Sequence, residues 1–288
     1  MIESRRPAGL FKTAALSLTF IVASVAIFAG IGYYNPRKFG FYSWKTLFTS
    51  KQFLQSLTVV VTNGFIAPLI IECYHAEHYT EVVIGFMTFL TSVCYHVCEA
   101  LRMRIWDMND GNWHRLDNVF IVLSAQNLLY YIFFALEARD TAIWDNPEEM
   151  KNHEKEHLEH FKKEERVHNL FRWVGLAFCL TCQEKAPWKI FYTILPIALP
   201  GACAMLRMVI LVPRQYKPRY NWRAMFTAMA LLGIGVIFFV FGLDEKKDYL
   251  RIYHGLWHVF GAFGFYAFFH CKNPSSERVL TKDNLKQE

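Results

Sequence analysis

Charge is scarce in this sequence wherever it is apolar. Charged residues make up 19% of the chain and hydrophobic ones 53%, against about 25% and 45–50% in an ordinary soluble domain. The sequence has no Gly-rich phosphate loop, no nucleotide fingerprint, no internal repeat and no stretch that reads as a soluble second domain. Nucleotide-driven chemistry and solenoid architectures are thereby excluded. Seven cysteines are scattered, mostly inside apolar runs. One CxxC, Cys179 and Cys182, lacks the second pair that a four-thiolate metal site requires, so the thiols read as small packing residues. The net charge of +6 sits in connecting blocks, which argues for a membrane surface and against nucleic acid.

What fills the space between those blocks is a series of nearly uncharged runs. They cover Thr13–Tyr34, Phe53–Ile71, Val82–Val97, Val119–Leu136, Ile190–Met205, Ala224–Leu243 and Ile252–Phe269. A shorter one, Leu170–Cys182, is interrupted by Arg172. Most approach the roughly 20 residues that cross a bilayer as a helix. The expected fold is all-α: a polytopic membrane protein with a seven-transmembrane helix bundle and one extra N-terminal hydrophobic helix. Residues 1–34, a basic start and a long apolar run, read as an uncleaved signal anchor. Residues 35–52 form a basic linker, 53–271 the seven-span core, and 272–288 a polar tail. The highly charged connection 137–168 reads as a solvated helix, its His153, His157 and His160 notwithstanding. Counting Lys and Arg on alternate sides places that loop and the C-terminus in the cytoplasm. Pro196, Pro200 and Gly201 interrupt the span Ile190–Met205 and predict a kink.

Polar residues inside apolar spans carry the functional signal. Ser92 and His96 are four apart near the end of one span, and His254 and His258 are four apart at the start of the last. That spacing stacks side chains on one helix face. Asp117 is expected to open the span between them, and helix order puts all five residues in one leaflet, the extracytoplasmic or lumenal one. Three imidazoles with an open fourth position are the ligand set of a catalytic Zn2+ site. Asp117 then serves as general base or orients a ligand, and Ser92 assists as an oxyanion or water hydrogen-bond donor. The competing readings are local ones: imidazole to a neighbouring carbonyl, Ser92 to its own helix backbone, Asp117 as a helix N-cap. Glu99 is a candidate partner for an imidazole or an interfacial acid, His114 a solvated boundary residue, and Glu72, His75 and His78 belong to the opposite membrane face. Trp106, Trp113 and Trp257 read as members of an interfacial aromatic belt.

Taken together, S-x-x-x-H at Ser92/His96, the acid at Asp117 and H-x-x-x-H at His254/His258 resemble the CREST superfamily of membrane hydrolases. SVCYHVCE and DYLRIYHGLWH are similar to its transmembrane-protein-8/myomaker branch. The acidic, Trp-containing N-terminal motif of alkaline ceramidases has no match here. The resemblance implies zinc held by His96, His254 and His258, with Asp117 near the metal. The implied activity is cleavage of an amide or ester bond in a lipid substrate, ceramide-like or the acyl chain of a GPI lipid or phospholipid. Two other classes stay open: a non-enzymatic membrane protein in fusion, adhesion or signalling with a structural zinc site, and a transporter with a His/Asp proton relay.

Overall fold

The computed structural model describes residues 51–102, 104–134, 147–187, 189–214, 217–244 and 247–272. The expected signal anchor, nearly all of the basic linker and the tail beyond 272 lie outside the described residues. Every regular element in them is helical. A first span runs through α1 (Lys51–Asn63), a single 3-10 turn (Gly64–Ile66) and α2 (Ala67–His75). It is followed by α3 (Tyr79–Leu101), α4 (Asp110–Phe133), α5 (Pro147–Lys185), α6 (Ile190–Ile210), α7 (Trp222–Gly242) and α8 (Ile252–Phe269). By length and composition, five of these spans suit a membrane crossing: Phe53–His75, α3, α4, α6 and α7. The chain is an all-helical, multi-pass membrane protein.

Two expectations about boundaries change. From Pro147 on, the charged connection and the weak apolar run Leu170–Cys182 are not separate: α5 carries both on one helix of 39 residues, about 58 Å long, and residues 137–146 lie outside the described residues. Pro147 opens it, and from there to Lys185 only Gly175 breaks a run of non-Gly, non-Pro residues, so no signal stops the helix where the charge ends. The side chains of His153 and His157 lie outside the described residues. Also, α4 begins seven positions before Asp117, at Asp110. Asn109 caps it, its Oδ1 accepting from the Asn112 N–H at 3.0 Å. Asp117 is therefore two turns inside the helix and not its N-cap.

Chain contacts divide the protein into two compact units, Met1–Ser124 with Phe226–Ala267, and Ala125–Met225 with Phe268–Glu288. In the first, Phe53 and Val60 of α1 pack with Val97 of α3. Trp113 packs with Cys94 and Cys98 and donates from Nε1 to the Ile105 carbonyl at 3.2 Å. Thr88 hydrogen-bonds the Ser124 hydroxyl at 2.8 Å, tying α3 to α4. Close approach of α7 and α8 depends on absent side chains: a Cβ on Gly264 would stand 2.7 Å from Leu232. Gly235 similarly faces the Trp257 ring, as small residues do between membrane helices. Trp113 and Trp257 are thus packing residues rather than belt residues, whereas Trp106 is 72% exposed.

In the second unit, α6 continues unbroken through Pro196 and Pro200. A proline removes the N–H that would serve the carbonyl four residues back. For Pro200 that carbonyl is Pro196 O, which accepts from Gln126 Nε2 at 2.6 Å. For Pro196 it is Tyr192 O, which accepts from Gln183 Nε2 at 3.2 Å. Each proline therefore has a glutamine that replaces its missing donor. Gly175 makes room for one of them, since a Cβ there would come within 2.8 Å of Gln126 Oε1. A buried bidentate ion pair joins Glu164 of α5 to Arg207 of α6. The Lys272 ammonium closes the end of α4 by donating to the Phe134 carbonyl at 2.6 Å.

Gln126→Leu should cost about 1–3 kcal/mol by stranding a buried carbonyl, read as a lower Tm in detergent. In a Pro200→Ala background the helix regains its own N–H, and the same substitution should cost clearly less. Equal losses in both backgrounds would show that the amide does not serve the proline.

Candidate metal centre

All five predicted site residues belong to the first unit. Three converge: the ligand nitrogens of His96, His254 and His258 lie within 4.8 Å of one another. His96 Nε2 and His254 Nε2 are 3.1 Å apart. Ring centroids stand 4.7 Å apart for His96–His254, 5.4 Å for His96–His258 and 4.8 Å for His254–His258. His96 is 1% exposed and the other two are half-buried.

The fold holds each ring by a named device. His96 sits one turn before the end of α3, and its Nδ1 faces Glu99 Oε2 at 3.4 Å. Glu99 is fixed in turn by Arg251 Nη2 at 2.7 Å and by the Tyr95 hydroxyl at 2.7 Å. The His254 ring is placed by the start of α8. Asp248, 1% exposed, accepts from the backbone N–H groups of Tyr253 and His254 at 2.8 and 3.0 Å, which satisfies donors that a helix N-terminus otherwise leaves orphaned. Gly242 lets the end of α7 approach: a Cβ there would meet the His254 backbone nitrogen at 2.9 Å. His258 lies one turn on, and its ring is hydrogen-bonded to the Val59 backbone of α1. A Cβ on Gly255 would stand 3.2–3.3 Å from Thr58 and Thr62, so its absence lets α8 lie close to α1.

These contacts fit a metal ion. A metal-bound histidine commonly gives its second nitrogen to a carboxylate or a backbone carbonyl. His96 meets a carboxylate through Nδ1, leaving Nε2 for the centre. His258 meets Val59, and its Nδ1 is buried with no hydrogen-bond partner, a costly arrangement for a polar atom unless something else occupies it. For a tetrahedral ion with metal–nitrogen bonds of about 2.0–2.1 Å, neighbouring nitrogens lie about 3.3 Å apart. The 3.1 Å between His96 and His254 is close to that value, and the group as a whole, within 4.8 Å, would draw in around an ion.

Asp117 and Ser92 pair with each other outside the group of three, Ser92 one turn before His96 on α3. The Ser92 hydroxyl hydrogen-bonds the Asp117 carboxylate. Ser92 is buried and Asp117 half-buried. His114 is not a solvated boundary residue: it is half-buried and stacks on the Tyr95 ring at 4.3 Å, with 12° between the planes. Sequence reasoning misses Arg251 and Asp248 as site residues. Asp248 bore a signal, an acid just before an apolar run, but Arg251 read only as loop charge. A cleft of about 160 Å³ opens beside the histidines, lined by Gln55, Val59, His96, Glu99, Arg102 and Arg251.

A helical multi-pass membrane protein with a three-histidine cluster, one ring buried and two half-buried, is thus the class that the fold and site define. The chain belongs to the family described as "Protein of unknown function (DUF3522)", whose model matches residues 51–143 and 157–259. Those segments contain Ser92, His96, Asp117, His254 and His258, and the gap between them falls on the loop and the charged start of α5. No curated protein matches the chain.

Gly242→Ala should push α8 away and lower bound metal per chain in detergent-purified protein. Gly233, with nothing within 4 Å of its would-be Cβ, is the control. Gly233→Ala should keep the metal and gain up to about 1 kcal/mol of stability. Equal metal content in both variants would contradict the assigned role of Gly242.

Proposed function

We propose that the protein is a zinc-dependent hydrolase that cleaves an amide or ester bond of a lipid within the membrane. The reading is carried by one observation. Three imidazoles converge, two of them with second nitrogens already engaged, and the serine of a separate serine–aspartate pair lies one turn before His96 on α3. When bound, zinc supplies Lewis acidity toward a carbonyl oxygen and lowers the pKa of water to about 7. His96, His254 and His258 hold it, and Glu99 with the Val59 backbone orients two of those rings. Asp117 accepts the proton of the attacking water at a carboxylate oxygen. Ser92 holds that carboxylate in place, a positioning role rather than that of a nucleophile. The water oxygen bonds to the acyl carbon, the C–N or C–O bond breaks, and Asp117 returns the proton to the leaving nitrogen or oxygen. The products are a fatty acid and an amine or alcohol. The Lys/Arg count favours the extracytoplasmic or lumenal leaflet of an endomembrane or the plasma membrane for this chemistry, with the C-terminus cytoplasmic.

The test pairs two substitutions, each assayed on lipid amides and lipid esters in mixed micelles. Asp117→Asn should keep the metal and the fold while lowering hydrolysis by about 100-fold or more. His254→Ala should lose both metal and hydrolysis. Hydrolysis that survives either change would end the proposed mechanism. Stoichiometric metal with no lipid product in the unsubstituted protein would instead favour a structural zinc site in a non-enzymatic membrane protein.

A further inference from the structure

The cleft beside His96 also carries two arginines that take no direct part in the hydrolytic step. Its basic residues, Arg102 and Arg251, come from two segments far apart in sequence, the end of α3 and the approach to α8. Its one carboxylate, Glu99, is engaged at both oxygens, by Tyr95 on one and by Arg251 and His96 on the other. With neutral histidine the lining carries a net positive charge. Both arginines hold left-handed backbones, with φ of 52° at Arg102 and 59° at Arg251. Glycine normally takes such positions, at helix C-caps above all. Trp106, Asp107 and Leu250 also have positive φ, so these two segments hold five of the six such non-glycine residues among those described. Strain of this kind persists where the surroundings over-determine it and gathers at ligand sites.

Position narrows the ligand. Arg102 directly follows α3, Arg251 directly precedes α8, and Gln55 lies in the first turns of α1. Lys51, which opens α1, lies over the Tyr249 ring at 5.5 Å, adding a further cation at the same helix ends. The ends of spanning helices lie at the headgroup level of a bilayer. Guanidinium groups match phosphate oxygens in charge and in hydrogen-bond geometry. About 160 Å³ has room for a phosphate group with its first ester carbons. We propose that this cleft is a headgroup subsite that takes the phosphate of a membrane phospholipid, with Arg102 as its exposed donor. The inference rests on the reading of the three-histidine cluster as the reactive centre, toward which the bound phosphate would direct the acyl linkage of the same lipid.

Binding tests it without turnover. Pyrene-labelled phosphatidic acid and pyrene-labelled diacylglycerol, identical but for the phosphate, are titrated onto the full-length protein in a phosphate-free detergent. Energy transfer from tryptophan reports occupancy, and thermal unfolding checks that each variant is folded. The unsubstituted protein should prefer phosphatidic acid. Arg102→Gln should weaken phosphatidic acid about tenfold, in keeping with one charge-assisted contact, and leave diacylglycerol unchanged. Arg102→Lys, which keeps the charge, should retain most of the preference. Equal affinity of the unsubstituted protein for the two lipids, or an Arg102→Gln variant with unaltered preference, overturns the proposal. Inorganic phosphate competing as well as the lipid does so too, since the site would then serve a soluble anion. Phosphate-selective binding without lipid hydrolysis would end the hydrolase reading and leave this one standing.

Discussion

His96 and His254 face each other Nε2 to Nε2 at 3.1 Å, joining α3 to a helix more than 150 residues further along the chain. Imidazoles are costly to bury in an apolar bundle unless their nitrogens are occupied. The first unit is arranged to meet that requirement from outside inward. Glu99 takes one nitrogen of His96, and Arg251 and Tyr95 hold Glu99. Val59 engages His258, and Asp248 fixes the backbone from which His254 projects. What remains is a set of converging nitrogens, two of them within hydrogen-bond distance of each other, that could also hold an ion.

The second unit obeys the same rule with different chemistry. Two prolines strip two donors from α6, and two glutamines from elsewhere in the unit supply replacements. The Glu164–Arg207 pair neutralises itself by direct bidentate contact. Where water is scarce, a polar group without an internal partner is costly. In both units the polar residues inside the spans are therefore more informative than the apolar ones around them.

Much of this was legible beforehand because membrane spans are long and patterned. The apolar runs locate the helices, and four-residue spacing puts Ser92 with His96 and His254 with His258 on common faces. Three histidines from two distant segments do meet. Boundaries were less legible. Asp117 seemed to open its helix because apolar residues begin just after it, yet the Asn109 cap starts α4 two turns earlier, amid polar residues. The charged run and the Leu170–Cys182 run looked separate because their composition differs, although nothing between them stops a helix. The glutamine–proline pairs and the Glu99–Arg251 contact join distant positions and leave no periodic trace. Trp113 and Trp257 illustrate the converse, since tryptophan near a span end signals an interface only when packing does not claim the ring.

The central claim is that three imidazoles share one metal ion. X-ray absorption at the zinc edge on detergent-purified full-length protein measures this directly. The account predicts about one zinc per chain, with a first shell of three histidine nitrogens at about 2.0–2.1 Å and one oxygen. A protein purified without added chelator that carries no zinc, or zinc in a sulfur-rich shell, would contradict it.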